Sequence, residues 1–223
     1  MRQRKIKDLD KKIEDLSSYV TDTENRGRWR EVFSCIKGED AGLYEKDSHS
    51  LYAEIGCGKG RFITTLAERA QGDLFVGIEG HESVILRSLE KADEKELDNI
   101  LFICGYMHDI HDIFADNELD GIYLNFSDPW PKARHAKRRL THRKFLSSYM
   151  DVIRTGGFIQ FKTDNDGLFD FTLEEIRECG YEISQISYDL HSSDLEAKNI
   201  MTEYEERFLR LKTPIKYVKI KVK

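Results

Sequence analysis

LYAEIGCGKG, residues 51–60, passes from a short apolar run directly into three closely spaced glycines. The run Leu51–Ile55 has the length of a buried strand. Gly56, Gly58 and Gly60 let the backbone turn sharply and approach a ligand without a Cβ in the way. A helical pattern follows the loop. A strand, a glycine loop and a helix in this order are typical of the first unit of a doubly wound α/β sheet, which binds ligands beyond the carboxyl ends of its strands.

The glycine loop differs from a dinucleotide-binding loop. The pattern G-x-G-x-x-G would place its third glycine at position 61, which is Arg61, whereas this loop has G-x-G-x-G. Glu54, two residues before the first glycine, suits a cationic ligand better than a pyrophosphate. The second strand ends at Glu79, where a carboxylate can bind a ribose diol, although acids at strand ends are also common without a ligand. Tyr106, after the third strand, can flank an adenine ring or simply pack.

Short apolar runs alternate with helical patterns along the rest of the chain, which predicts a doubly wound, mostly parallel sheet with helices on both faces. The predicted strands are 51–55, 74–78, 100–104, 120–125 and 158–162. The predicted helices are 61–70, 81–91, 142–154 and 167–179. Two further runs, 181–188 and 204–211, are predicted as strands that close one edge, partly antiparallel. Residues 1–50, with a helix at 5–16, are predicted to form a helical and partly flexible arm packed on one domain, 51–223.

The charge of the chain is unevenly distributed. Its net charge of −6 argues against a nucleic-acid partner, but the basic residues are clustered. Seven Lys and Arg residues lie between Lys132 and Lys144 without an acid, and six lie between Arg210 and Lys223. An acidic body with concentrated basic surfaces is typical of a polyanion-binding protein. The second cluster is equally consistent with a solvated face.

Several classes of protein are not indicated. No apolar run has the length of a membrane span, and no secretory leader is recognisable. The four cysteines, at positions 35, 57, 104 and 179, form no CxxC pair, so neither a zinc site nor a disulfide framework is expected. We therefore expect a cytoplasmic protein without a metal or a membrane partner. Monomer and homodimer are not distinguished by the sequence.

The second informative stretch is NFSDPWPKARHAKRR, residues 125–139. Two of the three prolines lie here, and each restricts its own φ and disfavours helix at the preceding residue. We therefore expect Asp128 and Trp130 to be held extended beside a cationic block. Such a loop can grip a base while the adjacent charges bind phosphates. Trp130 is equally suited to stack on an extruded base or to anchor the loop in the core.

These features together resemble the class I S-adenosylmethionine-dependent methyltransferases. Within that class, NFSDPWPK (125–132), RHAKRR (134–139) and TEYE (202–205) resemble the tRNA (guanine-N7-)-methyltransferase family. Gly27-Arg28-Trp29 is similar to the family's N-terminal pattern, with Arg in place of the more usual Lys. The resemblance implies S-adenosyl-L-methionine as cofactor, tRNA as partner and methyl transfer to N7 of a guanine in the variable region.

The resemblance also implies that individual residues bind the cofactor, the substrate nucleotide or the rest of the RNA. The implied cofactor-binding residues are Glu54, Gly56, Gly58, Gly60, Glu79, Tyr106 and Asp128, and Asp128 is also the implied catalytic residue. The implied substrate-binding residues are Lys132, Asp164, Thr202, Glu203, Tyr204 and Glu205. The implied RNA-contacting residues are Arg134, His135, Lys137, Arg138 and Arg139. Tyr106 stands where the family usually has Asp or Asn to reach the adenine amine, and a phenol oxygen can accept the same hydrogen bond.

The chemistry of guanine limits what such a site must do. N7 has an unprotonated lone pair in the ring plane, so it needs no general base before it attacks a sulfonium methyl group. Catalysis would rest on in-line positioning and on stabilising the cation that forms on the base. Asp128 suits both tasks, and Asp164 and Glu205 are placed to share them. Asp164 can instead be the N-cap of the following helix.

Two other functions fit parts of the sequence. Amino-group methyltransferases acting on nucleic acid or protein use an Asn/Asp-Pro-Pro-aromatic loop, which Asp128-Pro129-Trp130 resembles. The second proline is missing, however, and the cationic block has no role in that chemistry. A non-catalytic RNA-binding module with a relict cofactor pocket is the other alternative. The complete set of Glu54, the glycines and Glu79 counts against it.

Overall fold

A single eight-stranded sheet lies at the centre of the computed structural model, which describes residues 6–36 and 49–223. The strands are β1 (Val20–Thr21), β2 (Leu51–Ile55), β3 (Leu74–Glu79), β4 (Ile100–Cys104), β5 (Leu119–Asn125), β6 (Ile153–Thr163), β7 (Glu182–Ser187) and β8 (Lys216–Lys221). The α-helices are α1 (Leu9–Glu14), α2 (Trp29–Ile36), α3 (Arg61–Arg69), α4 (Glu82–Glu94), α5 (Arg143–Val152), α6 (Asp166–Glu178) and α7 (Glu203–Arg210).

The strand order is β1-β4-β3-β2-β5-β6-β8-β7. Strands β1 to β6 pair in parallel, and β8 runs antiparallel between β6 and β7. The predicted fold class, a doubly wound and mostly parallel sheet with an antiparallel edge, is therefore confirmed, and β2 and β4 have the predicted bounds. The order reverses between β2 and β5. Their carboxyl ends form the crevice in which such sheets bind ligands.

Helices cover both faces of the sheet. On one face, Trp29 and Phe33 of α2 and Tyr149 of α5 are fully buried against the strands. On the other face, Phe62 of α3 and Leu89 of α4 fill the same role. Because β2, β3 and β4 are covered on both sides, their sequences read as nearly continuous apolar runs.

The N-terminal segment is part of this core. The indole nitrogen of Trp29 donates to the carbonyl oxygen of Ile113 at 2.9 Å, and Arg30 pairs with Asp120 at 2.9 Å. Strand β1 adds to the sheet beside β4. The parts of the predicted arm at 1–5 and 37–48 lie outside the described residues. The boundary at residue 50 stays a prediction.

The predicted strand at 204–211 is wrong, because these residues form α7. The hydroxyl of Thr202 accepts from the backbone N–H of Glu205 at 3.0 Å, and the Glu205 carboxylate accepts from the backbone N–H of Thr202 at 3.3 Å. This capping box satisfies two otherwise unpaired donors and starts a helix. The antiparallel strand is instead β8, which pairs with β6 and β7.

Because β8 is part of the sheet, the basic residues from Arg210 to Lys223 do not form one continuous, solvent-exposed surface. Lys216 of β8 is buried, pairs with Asp166 at 2.5 Å and donates to a main-chain carbonyl. The ammonium of Lys219 lies 3.7 Å from the centre of the Phe158 ring, where burial lowers its pKa. Lys216 and Lys219 are therefore engaged within the fold and do not belong to a free polyanion-binding surface.

Candidate active site

The glycine loop after β2 is folded back over β3. Gly56, Gly58 and Gly60 have φ of 76°, 61° and 77°, a region that residues with a Cβ rarely adopt. The backbone N–H of Gly56 donates to the carbonyl oxygen of Ile78 at 2.8 Å. A Cβ at Gly60 would lie 2.6 Å from the Cβ of Ser88, so only glycine fits there. The loop is thus fixed by neighbouring strands and helices, and its outer edge stays open.

Glu79 and Tyr106 lie on the next part of this edge. One oxygen of Glu79 accepts from the backbone N–H of Gly58 at 3.1 Å, and the other accepts from that of His81 at 2.9 Å. Tyr106 is 63% exposed, and its phenol oxygen lies 3.2 Å from Nε2 of His81. A Cβ at Gly80 would be 2.4 Å from the Tyr106 ring. The glycine at 80 therefore lets the tyrosine ring approach the backbone at the end of β3.

Glu54 and Asn125 form a buried acceptor pair at the point where the strand order reverses. Both are buried, and the side-chain amide of Asn125 donates to Oε1 of Glu54 at 2.7 Å. Within the described residues, Oε2 of Glu54 and Oδ1 of Asn125 have no hydrogen-bond partner. Burial raises the pKa of Glu54 to about 8, opposed by the amide of Asn125 and the charge of Lys162. Two buried acceptors without donors fit a cationic group with several N–H bonds.

The loop after β5 is shaped by its own cationic block. The predicted extended conformation of Trp130 is wrong, because its φ is +41°. Arg139 explains the difference: its Nε donates to the carbonyl oxygen of Pro129 at 3.0 Å and a terminal nitrogen donates to that of Trp130 at 3.1 Å. The guanidinium of Arg138 lies 5.0 Å from the centre of the indole. Asp128 is exposed at this loop.

The remaining cations of the block project outward. Lys132, Arg134 and Lys137 are exposed, on or next to a short 3₁₀ helix at Ala133–Arg138. The ring of His135 meets Trp130 edge to face at 5.7 Å. Arg139 differs from its neighbours, since its hydrogen bonds hold the loop. Of the implied RNA-contacting residues, Arg134, Lys137 and Arg138 are therefore exposed, whereas His135 packs on Trp130 and Arg139 holds the loop.

An aromatic stack that sequence reasoning missed joins this loop to α7. Phe126, with φ of +53°, stacks on Tyr204 at 6.2 Å and 22°, and on Phe208 at 6.0 Å and 15°. Tyr204 is 59% exposed. Phe126, at the centre of the stack, precedes Asp128 by two residues in the chain. It offers an open aromatic surface that the partly covered Trp130 does not.

A buried ion pair beneath this stack was also missed. Lys162 of β6 and Glu205 of α7 are both fully buried, and their charged atoms are 2.8 Å apart. The Lys162 ammonium also donates to Oδ1 of Asn199 at 3.0 Å and to the carbonyl oxygen of Ile200 at 2.9 Å. Burial lowers the pKa of Lys162, and Glu205 opposes that shift. The available signal was a lysine next to Phe161 at the end of a strand whose other neighbours include Phe158 and Ile159.

Asp164 is not the N-cap of α6. That position belongs to Asn165, whose side chain accepts from the backbone N–H of Leu168 at 2.8 Å. The carboxylate of Asp164 is partly exposed and has no hydrogen bond or ion pair within the described ranges. It lies at the carboxyl end of β6, next to the strand that ends at Asn125. The capping alternative is therefore wrong.

Comparison with known proteins identifies the family. A family model described as "Putative methyltransferase" matches residues 48–218. A tRNA (guanine-N(7)-)-methyltransferase from Lachnoclostridium phytofermentans is 44% identical, covering 96% of this chain and 95% of the relative. One from Brevibacillus brevis is 42% identical, covering 86% of each. This chain belongs to the tRNA (guanine-N(7)-)-methyltransferase family. The resemblance seen in the sequence motifs is confirmed.

The fold likeness reaches well beyond this family. The solved structure of the 16S rRNA methyltransferase KamB matches with a TM-score of 0.58 at 12% identity, covering 79% of this chain and 90% of the other. At that identity the match shows the fold alone. It agrees with the doubly wound architecture and places the chain among methyltransferase folds.

The described residues contain neither a membrane-spanning helix nor a cluster of metal-ligating side chains. No helix there combines the length and the apolar character needed to cross a bilayer. In the same ranges, no group of three or more His, Cys, Asp or Glu side chains is arranged to hold a metal ion.

The substrate-binding residues implied by the tRNA (guanine-N(7)-)-methyltransferase family are divided by burial. Thr202 and Glu205 are buried in the capping box, whereas Tyr204 is exposed. Glu203 pairs with Lys91 of α4. The motif at 202–205 therefore presents mainly its aromatic side chain to the surface.

Proposed function

We propose that this chain transfers a methyl group from S-adenosyl-L-methionine to N7 of a guanine in the variable region of tRNA. The observation that supports this most is the position of the Glu54–Asn125 acceptor pair. It lies at the same crevice as the glycine loop and the Asp128 loop, and the cationic block follows directly. A methyl donor with a cationic end and a polyanionic acceptor are the two ligands that these surfaces suit.

The residues at the crevice fit the proposed cofactor. Oε2 of Glu54 and Oδ1 of Asn125 are buried acceptors suited to its ammonium. The open outer edge of Gly56 and Gly58 has space for the main chain to approach a ligand. Glu79 would bind the ribose hydroxyls, and Tyr106 would flank the adenine. When bound, the cofactor supplies an electrophilic methyl group on a positively charged sulfur.

Asp128 is the proposed catalytic residue. It is exposed at a loop held by two Arg139 hydrogen bonds, so its carboxylate is presented on a fixed backbone. Because N7 needs no general base, a carboxylate contributes by orienting the N–H edge of guanine and by stabilising the positive charge that forms on the ring. Asp164, free of the capping role, is placed to share that stabilisation.

The target base requires a stacking surface once it leaves its neighbours. Tyr204 is the better candidate because it is exposed and supported from beneath by Phe126. Trp130 already has Arg138 over its ring and His135 at its edge. We therefore assign base stacking to Tyr204 and loop anchoring to Trp130.

The exposed cations would hold the tRNA backbone. Lys132, Arg134, Lys137 and Arg138 are exposed and follow the catalytic loop directly, so a phosphate bound there would be close to the reacting base. Lys132 is the first of them and is assigned to the substrate nucleotide. Since the substrate is tRNA, we assign the activity to the cytoplasm.

Nucleoside mass spectrometry tests the proposed function directly. The protein is incubated with a tRNA transcript and methyl-labelled cofactor, and we expect labelled 7-methylguanosine from the variable region. A transcript with 7-deazaguanine at the target keeps every phosphate and the Watson–Crick edge but has no N7 lone pair. It should bind with near-normal affinity and receive no label. Label on an exocyclic amine would favour the amino-group methyltransferase, and tRNA binding without any methyl transfer would favour the non-catalytic module.

A further inference from the structure

Lys162 contacts two segments that meet at the proposed site: the catalytic loop, which follows β5 and carries Asp128, and the segment between β7 and β8, which contains α7. Its carbonyl oxygen accepts from the backbone N–H of Phe126 at 2.9 Å, at the start of the catalytic loop. Its ammonium donates to Glu205, Asn199 and Ile200, all in the segment between β7 and β8. One residue of β6 therefore holds the catalytic loop through its main chain and α7 through its side chain.

The arrangement leaves Glu205 little capacity for a further ligand. One carboxylate oxygen accepts from the Lys162 ammonium at 2.8 Å and from the backbone N–H of Thr202 at 3.3 Å. The other accepts from the side-chain amide of Asn199 and lies 3.4 Å from Nε2 of His191. The side chain is fully buried. Three hydrogen bonds to a fully buried carboxylate disfavour direct contact with a guanine.

In the described part of the chain, the other contacts of α7 include two surface ion pairs and the packing of Phe208 on the cluster of Leu190, Ile215 and Tyr217. Arg61 pairs with Glu206 at 2.6 Å, and Lys91 pairs with Glu203, and all four side chains are about a third exposed. Exposed ion pairs contribute little because water and salt screen them. A buried pair behaves differently, since the loss of one partner leaves a charge without compensation in the interior.

We propose that Lys162 is a positioning residue: by holding Glu205, it fixes α7 and the Tyr204 ring against the catalytic loop. Glu205 then acts through the helix and does not contact the base. The assignment of α7 to substrate binding rests on the proposed function. The attachment of α7 by Lys162 does not, and this difference allows the two to be tested separately.

A double-mutant cycle with two readouts provides the test. The variants are Lys162→Met, Glu205→Gln and the double variant, with Lys95→Met as a matched control because Lys95 pairs with Glu68 away from α7. Hydrogen exchange of peptides covering 203–210 reports on the helix without any substrate. Steady-state kinetics gives kcat and the KM for tRNA, and calorimetry gives the affinity for the cofactor. The double variant leaves no unpaired buried charge, so it keeps the cycle interpretable if Lys162→Met alone unfolds.

The positioning role predicts a specific pattern. Exchange of α7 should accelerate at least about tenfold in Lys162→Met and in the double variant, whereas β2 exchanges as in the parent. The KM for tRNA should rise about tenfold or more, a larger change than that in cofactor affinity, which Lys162 affects only through its charge near Glu54. The effects should be non-additive, the double variant being no worse than the more impaired single variant. Lys95→Met should match the parent.

Two results would overturn the proposal. Unchanged exchange of α7 in both Lys162→Met and the double variant would show that the pair does not hold the helix. A large loss of kcat in Glu205→Gln with an active Lys162→Met, or losses that simply multiply, would show that Glu205 acts on the substrate directly. If the parent protein itself methylates no tRNA, the proposed function fails, and the exchange measurement still decides the role of Lys162.

Discussion

The side-chain amide of Asn125 donates to the carboxylate of Glu54 at 2.7 Å, across the two strands between which the sheet order reverses. This contact satisfies one oxygen of Glu54 and, in the described part of the chain, leaves the other without a donor. The carboxyl group is buried, so its charge is stabilised mainly when a cation is bound beside it. The binding of a cationic ligand beside this pair is therefore coupled to the loss of a proton from Glu54.

The first prediction is that cofactor binding releases a proton at pH 7. Burial raises the pKa of Glu54 to about 8, so the free protein holds it mostly neutral at pH 7. A bound ammonium favours the ionised form and lowers that pKa. Affinity should therefore rise with pH until about 8 and then level off. Calorimetry in two buffers with different ionisation enthalpies measures the released proton. Glu54→Gln should bind more weakly and release none, and a buffer-independent enthalpy for the parent at pH 7 would contradict the prediction.

Asp128→Ala should lower turnover by about 10²–10⁴, the range for the loss of a positioned electrostatic group. The affinity for tRNA should change little, because one carboxylate contributes nothing to phosphate binding. Single-turnover methylation with saturating tRNA measures the effect. Asp170→Ala, at an exposed position of α6, is the matched control. Turnover within about threefold of the parent would remove Asp128 from the catalytic role.

The cations between Lys132 and Arg139 should fall into two groups, those that bind phosphates and the one that holds the loop. Replacing Arg134 and Lys137 by Ala should weaken binding to all tRNAs and flatten the log–log salt dependence by about two units, one per lost phosphate contact. Arg139→Ala should leave that slope nearly unchanged and lower kcat by about ten- to hundredfold, because the loop loses two charge-assisted hydrogen bonds. Binding measured between about 50 and 200 mM salt separates the two. An equal change of slope for Arg139→Ala would place its side chain on a phosphate.

Tyr204→Ala should raise the KM for tRNA by about 5- to 150-fold, since a base–aromatic stack contributes about 1–3 kcal/mol. Tyr204→Phe keeps the ring and should behave like the parent. Thermal unfolding of both variants checks that α7 is retained. If Tyr204→Ala has the KM of the parent, the base stacks elsewhere, and Trp130 becomes the next candidate.

Much of the sheet and the cofactor edge was predictable because local sequence decides them. The apolar runs at 51–55 and 100–104 are buried on both faces, so composition alone marked β2 and β4. The glycine loop was recognisable from its spacing. Strand β8 was missed although Val218, Ile220 and Val222 alternate with lysines, because the density of charge suggested a surface segment. The T-x-x-E pattern at 202–205 is a helix-start signal, but the run at 204–211 resembles a strand in its sequence, so α7 was not predicted.

The remaining features depend on contacts between distant residues. Lys162 and Glu205 are 43 positions apart, and neither residue alone predicts a buried ion pair. The positive φ of Trp130 is explained by Arg139, whose hydrogen bonds reverse the conformation that the prolines suggested. In both cases a side chain outside the local sequence pattern makes the deciding contact: with a carboxylate 43 positions away for Lys162, and with the backbone of the same loop for Arg139.

The position of β8 has a consequence for synthesis. A ribosome makes β7 before β8, yet in the described sheet β7 pairs with β8 and not with β6. The nascent chain can assemble the glycine loop, Glu54 and the Asp128 loop on strands β2 to β6 while β7 still waits for the strand that pairs with it. A polypeptide stalled before residue 216 would thus carry the cofactor residues and the cations that follow Asp128, but not the closed antiparallel edge on which Phe208 of α7 packs.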